Sequence, residues 1–281
     1  MTRIHRILAG TVALLVAAVQ PVQADAPGRV VSINLCTDQL AMLLAAPGQL
    51  LSVSHVASDP RSSAMANQAG NYRMNHGLAE EIYVLQPDLV VAGTWTPHST
   101  VSMLERLGVP VAVFQPARTL ADIRERLVQM GEVLQRPAVA ETLVAEFDIR
   151  LAALQEHVSD RPRAALYYAN GYTAGDQTLA GQILLAAGFA NAADEAGYRA
   201  GMKMPLEMLA MIAPETVIAA RRYPGGSRSE EILDHPVLGE LRSGSTMAAM
   251  TDQDWVCGTP YVLRAVEELA RTRRSMTGAD R

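Results

Sequence analysis

One stretch occurs twice in this chain, and it limits the fold more than any other feature. The first copy runs from Glu80 through Pro87-Asp88 to Val90-Val91-Ala92, and the second from Glu207 through Pro214-Glu215 to Val217-Ile218-Ala219. The offset is constant at 127 residues, whether taken between the glutamates (207 − 80) or between the prolines (214 − 87). Each copy reads as a short helix, a proline that stops it, and a buried strand. Proline lacks the N–H that a helix needs, and its ring clashes with the preceding turn. The β-branched run after it suits a parallel strand covered on both faces. Two copies at this spacing predict two lobes built alike.

The rest of the chain fits that plan. Strands are expected at Arg29–Ile33, Leu50–Ser54, Val109–Phe114, Arg163–Ala169 and Met247–Met250, with a polar loop over 55–77. Helices are expected over Gln39–Ala46, capped by Thr37 or Asp38, and over Thr100–Leu107, Leu179–Ala187 and Tyr261–Arg273. Thr119 and Asp122 have the spacing of a capping box. Pro137 suits the first turn of a long helix reaching about His157, with an apolar stripe of Val139, Leu143, Phe147, Leu151 and Leu154. That helix has no internal Gly or Pro and is long enough to act as a strut between lobes. The class is α/β with parallel sheets, whose ligands lie at the carboxyl ends of strands.

With 281 residues, 49% of them hydrophobic and 19% charged, two ordinary cores can be filled. A formal charge of −5 without a basic tract speaks against nucleic acid as a partner. Arg3 and Arg6, an apolar run from Ile7 to Val19, and Val22-Gln23-Ala24 read as a signal peptide cleaved after Ala24. The mature protein is expected to be exported. Cys36 and Cys257 therefore meet an oxidising compartment. Three readings stand for them: two small core residues, a disulfide across the lobes, or thiolate contact with a metal in a ligand.

Motifs for chemistry are missing. There is no Gly-x-Ser-x-Gly, phosphate-binding glycine loop or His-Glu-x-x-His, so no catalytic residue, resident metal or cofactor is expected. His55, His76 and His98 share no ligand spacing and read as solvated. Glu80 and Glu207 have two uses. With Gly77 and Met204 as N-caps, both fall at the third helical position and serve as capping carboxylates. Being matched in two lobes, they also present one carboxylate each to arginines of a partner. Tyr72, Trp95, Tyr172, Tyr223 and Trp255 lie in loops after strands or beside helices. As a set rimming one cleft they suit a large, partly apolar ligand, and Arg221 adds positive charge.

Arg29–Asp38, Glu80 through Leu89-Val90, Glu207 through Pro214, and Asp254-Trp255 together resemble the periplasmic substrate-binding proteins of cobalamin and iron–siderophore importers. The resemblance covers essentially the whole mature chain. It implies two Rossmann-like lobes joined by one long helix, with little hinge motion. The expected divisions are a signal peptide at 1–24, a first lobe at 25–136, the connecting helix at 137–160 and a second lobe at 161–281. It implies a non-enzymatic receptor that hands a metal chelate to an ABC permease in the inner membrane, with Glu80 and Glu207 docking on permease arginines. A corrinoid is the first ligand expected, and an iron–siderophore or haem the second. The ligand would meet Asn34, Cys36, Thr37, Tyr72, Trp95, Gly171, Tyr172, Arg221, Tyr223, Trp255 and Cys257. A monomer is expected. Two rivals remain: a receptor for a bare transition-metal ion and a secreted α/β hydrolase.

Overall fold

In the computed structural model, residues 26–155, 158, 161–220, 227–243, 248–250 and 252–277 are described. The expected signal peptide lies outside them. The first half runs β1 (Val30–Ser32), α1 (Leu35–Leu44), β2 (Leu50–Ser54), α2 (Ala66–Ala69), β3 (Arg73–Asn75), α3 (Ala79–Val84), β4 (Leu89–Gly93), α4 (His98–Arg106), β5 (Val111–Phe114). Then come α5 (Leu120–Val133) and α6 (Pro137–Leu154). The second half runs β6 (Arg163–Tyr167), β7 (Tyr172–Ala174), α7 (Leu179–Ala186), β8 (Ala190–Asn191), α8 (Ala192–Glu195), β9 (Gly201–Lys203). It closes with α9 (Leu206–Ile212), β10 (Thr216–Ala220), α10 (Pro236–Ser243), β11 (Ala248–Met250) and α11 (Val262–Thr277).

Two lobes follow. The first is a five-stranded parallel sheet in the order β3-β2-β1-β4-β5. The second is a four-stranded parallel sheet in the order β11-β10-β6-β8, with an antiparallel β7-β9 ribbon beside it. The repeated stretch supplies α3 and β4 in one lobe and α9 and β10 in the other. Each joint turns through a left-handed residue before the proline, Gln86 at φ 47° and Ala213 at φ 40°. Such a residue is strained unless its surroundings hold it. Arg29 donates to the carbonyls of Leu85 and Gln86 at 2.7 and 2.9 Å. Arg163 donates to those of Ile212 and Ala213 at 3.0 and 3.5 Å. The acid after each proline completes the joint: Asp88 accepts the Gly28 N–H at 3.0 Å, and Glu215 that of Arg163 at 2.8 Å.

The connecting helix α6 starts at Pro137 as expected and stops at Leu154, short of His157. Its predicted stripe is the packed one, with Phe147 and Leu151 buried and Val139, Leu143 and Leu154 against the core. Arg124 of α5 pairs with Asp148 of α6 and lies over the Phe147 ring. The capping box of Thr119 and Asp122 is present. One apolar core runs without a break from β1 and α1 through α5 and α6 to α7 and α11.

Two local expectations are corrected. Helix α1 begins at Leu35, and Asn34 caps it, not Thr37 or Asp38. Those two residues sit in its first turn, fully buried. The expected 55–77 loop also contains β3, whose sequence Arg-Met-Asn carries no apolar alternation to read.

Asp38 hydrogen-bonds the Ser54 hydroxyl and accepts the Ser54 N–H at 3.1 Å. Burial dominates its titration and raises its pKa from 3.8 to about 7, against the lowering effect of its hydrogen bonds to Ser32 and Ser54. Between those values the folded protein holds a proton that the unfolded chain has released. Stability must therefore fall as pH rises through this window and stay reduced above it. Asp38→Asn keeps the shape and removes the ionisation. Above the window it is expected to be more stable than wild type by roughly 2–4 kcal/mol, with the gap closing at acid pH. Urea unfolding of both proteins across the pH range checks this, and parallel pH profiles would contradict it.

Candidate ligand cleft between the lobes

The carboxyl ends of β1, β4 and β5 leave a recess on the first lobe. Asn34, Trp95, Gln115 and Arg126 line it, with Cys36 and Thr37 at its base, and it holds about 510 Å³ counting its open mouth. Asn34 stands at the strand-to-helix turn because its side chain caps α1, accepting the Cys36 N–H at 3.0 Å. Its carboxamide lies against Gly93, where a Cβ would come within 2.8 Å of Asn34 Cγ, so β4 must end in glycine for the two loops to meet. Trp95 is 82% exposed, a large apolar face open to solvent among the described residues.

A second recess of about 600 Å³ lies on the other lobe, lined by Tyr168, Tyr172, Thr178 and Trp255 among others. Trp255 stacks on Tyr168 with ring centroids 5.2 Å apart. The buried Trp255 indole N–H has no hydrogen-bond partner among the described residues. Ala117 and Val256 line both recesses, so the two are halves of one cleft that meets at these residues.

The loop bearing Trp255 and Val256 is gripped from the first lobe at two points. Cys257 is disulfide-bonded to Cys36, with Cα atoms 5.1 Å apart. A Cβ on Gly258 would stand 2.1 Å from that of Ala117, so only glycine permits the approach. Of the three readings for the cysteines, the disulfide is the one found. With both sulfurs bonded to each other, no thiolate is left to bind a ligand metal, and Cys257 is only 2% exposed.

The predicted residues divide as follows. Asn34, Cys36, Thr37 and Trp95 come together on one side, and Tyr172 and Trp255 on the other. Thr37 is 1% exposed, and its hydroxyl bonds Ser32 and the Asn34 carbonyl. Gly171 lies beneath Tyr172 at φ 71°, against the Tyr167 hydroxyl and the Met204 carbonyl. Tyr72 packs half-buried against the core and lines neither recess. Arg221 and Tyr223 lie outside the described residues. His55 and His76 stack at 4.9 Å, and His98 bonds Ser102. Among the described residues no group of three His, Cys, Asp or Glu is placed to hold a metal.

Gln115 and Arg126 were missed. Gln115 follows β5, so the strand-end rule could have found it. Arg126 reads in the sequence as a solvated helix charge, but its side chain is only 17% exposed. One terminal nitrogen pairs with Glu125 at 3.0 Å, while its Nε has no partner among the described residues.

Glu80 and Glu207 are both exposed. The capping role expected of them is corrected. The helices are preceded by Leu78 and Pro205, so each glutamate falls at the second helical position and neither helix has a side-chain cap. The carboxylate that folds back is Glu81, which accepts the His76 N–H at 2.8 Å.

A parallel two-lobed α/β chain with a ligand-sized cleft between lobes has the build of a binding protein. The family described as periplasmic binding protein matches residues 30–245, and the chain belongs to that family. It is 27% identical over 197 residues to the "Cobalamin-binding protein" of Halobacterium salinarum, covering 68% of this chain and 53% of that protein. It is 23% identical over 254 residues to the "Vitamin B12-binding protein" of Photorhabdus laumondii, covering 88% of each. The chain spans about half the length of the first curated relatives it matches. Similar solved structures include the periplasmic heme-binding protein RhuT from Roseiflexus sp. RS-1, at TM-score 0.73 and 22% identity over 88% of this chain and 98% of that one. The vitamin B12-binding protein BtuF of Vibrio cholerae matches at TM-score 0.67 and 18% identity over 90% and 98%. These two place the fold among two-lobed periplasmic binding proteins.

The disulfide closes a loop with a sequence separation of 221 residues. Replacing both cysteines by serine is expected to cost roughly 3–5 kcal/mol, chiefly by freeing the unfolded chain. Chemical unfolding of the oxidised protein and of the double variant checks this, with thiol titration of the unreduced protein expected to find no free thiol.

Proposed function

We propose that this chain is a non-enzymatic periplasmic receptor, exported by its first 24 residues, that binds a metal chelate and delivers it to an ABC importer. A corrinoid is the ligand favoured. The observation that carries the reading is the divided cleft, with the exposed Trp95 lining one half and the part-buried Trp255 the other, about Val256 and Ala117. Its lining pairs apolar surface with amides and hydroxyls such as Asn34, Gln115 and Thr178. Such a lining suits a large ring system with an amide-bearing rim. The names of the curated relatives point the same way. Haem is the second reading, favoured by Tyr172. Its ring is 45% exposed in the cleft, and a phenolate can ligate haem iron.

The two lobes would deliver the ligand through Glu80 and Glu207, exposed at matched positions and without a hydrogen-bond or ion-pair partner among the described residues. Carboxylates so placed suit arginines of a permease.

The test is titration calorimetry of the mature protein with cyanocobalamin, haemin, a ferric hydroxamate and free divalent metal ions. The corrinoid is expected to bind tightest, and Trp95→Ala to weaken it about tenfold, as loss of a large aromatic anchor does. Binding of a bare metal with no chelate would overturn the reading. Glu80→Ala with Glu207→Ala is expected to impair uptake in cells while leaving that affinity unchanged.

A further inference from the structure

The two proline-stopped helices match in more than their glutamates. Helix α3 buries Ala79 and Ile82, and α9 buries Leu206 and Leu209. These pairs are again 127 residues apart (206 − 79 and 209 − 82). Four residues after each glutamate an apolar side chain stands in solvent: Val84 is 75% exposed and Met211 is 77% exposed. Positions four apart are neighbours on a helix surface, so each glutamate has an exposed apolar side chain one turn along its own face. Beside Val84, Tyr83 is 47% exposed and a shallow groove is lined by Pro87 and Val109.

A single exposed apolar residue is ordinary. Matched packing of the two helices accounts for the equal exposure of these two positions, but not for an apolar side chain at both of them. Each also lies beside a carboxylate that has no protein partner among the described residues.

We propose that Val84 and Met211 are apolar anchors of a docking surface made in two matched halves. The partner is a two-fold symmetric membrane protein that offers each lobe one cation for the glutamate and one apolar recess for the side chain beside it. The inference rests on the delivery reading above and adds the contacts that hold the complex. Two like patches on one chain are complementary to two like patches on the partner, which a closed homodimer supplies. Unpaired carboxylates on a chain of net charge −5 call for cations, and they steer the approach. Exposed ion pairs hold weakly, whereas apolar side chains seated in recesses carry interface energy. The thioether of Met211 is flexible enough to fill a recess that also takes a valine.

The test is the affinity of the full mature chain for its cognate permease–ATPase complex in nanodiscs. The variants are Val84→Ser, Met211→Ser, their combination, and the Glu80→Ala/Glu207→Ala pair. Ile149→Ser on α6 is the control, since Ile149 is 70% exposed but lies on neither helix. Each anchor variant is expected to bind about 3- to 10-fold more weakly, and the pair to multiply the losses. Raised salt should shrink the effect of the glutamates but not that of the anchors. Unfolding midpoints should not move. If the anchor pair binds as wild type while the glutamate pair is impaired, the anchors are wrong and the docking face stands. If the glutamate pair also binds as wild type, the delivery reading falls with them. An equal loss for Ile149→Ser would mean general stickiness and would overturn the proposal.

Discussion

Both lobes depend on making a helix stop and turn directly into a buried parallel strand. Proline ends the helix, and the residue before it must take a left-handed conformation that neither Gln86 nor Ala213 favours. The strain is held by charge. Arg29 and Arg163, at the starts of β1 and β6, bond the last helix carbonyls, which carry the negative end of the helix dipole. The acid after the proline grips a backbone N–H on the same neighbouring segment. The joint thereby fixes β4 beside β1 and β10 beside β6, setting the register of both sheets. The loops that form the cleft start from the far ends of these strands, so their positions follow from it.

A cleft between lobes keeps its shape only if the lobes stay together. Here they share one apolar core through α5, α6, α7 and α11, and they meet again at the cleft through Cys36–Cys257 and Gly258 against Ala117. The core reaches up to the cleft, where Leu40, Phe114, Leu179 and Ala180 line the recesses, and the disulfide crosses there too. An apolar core that crosses the lobe boundary resists hinge motion, because opening would expose it. On the proposed reading, a receptor so held would recognise its ligand by a site largely in place before binding, which would lower the ordering cost of association.

Much of this was legible in the sequence because it rests on strong local signals. The repeat announced the two lobes, and Pro137 with an unbroken apolar stripe announced α6. The rule that ligands lie at strand ends placed Asn34, Trp95, Tyr172 and Trp255 at the cleft. Other features depend on contacts that sequence spacing does not carry. Arg29 and Arg163 are 134 residues apart (163 − 29), not 127, so a search for a constant offset passes over the arginines that hold the joints. The short strands β3 and β9 are polar or exposed and owe their conformation to neighbours. Asp38 reads as a helix cap but is buried against Ser54, because Asn34 already caps the helix. Arg126 looks solvated until the fold turns it toward the recess.

The central claim is that one ligand lies across both halves of the cleft. Hydroxyl-radical footprinting read by mass spectrometry tests it directly, since Trp95, Tyr172 and Val256 are all exposed in the free protein. Adding cyanocobalamin should protect all three together, with one midpoint, while the exposed Tyr83 on α3 stays as reactive as before. Protection confined to one lobe, or found only outside the cleft, would contradict the account.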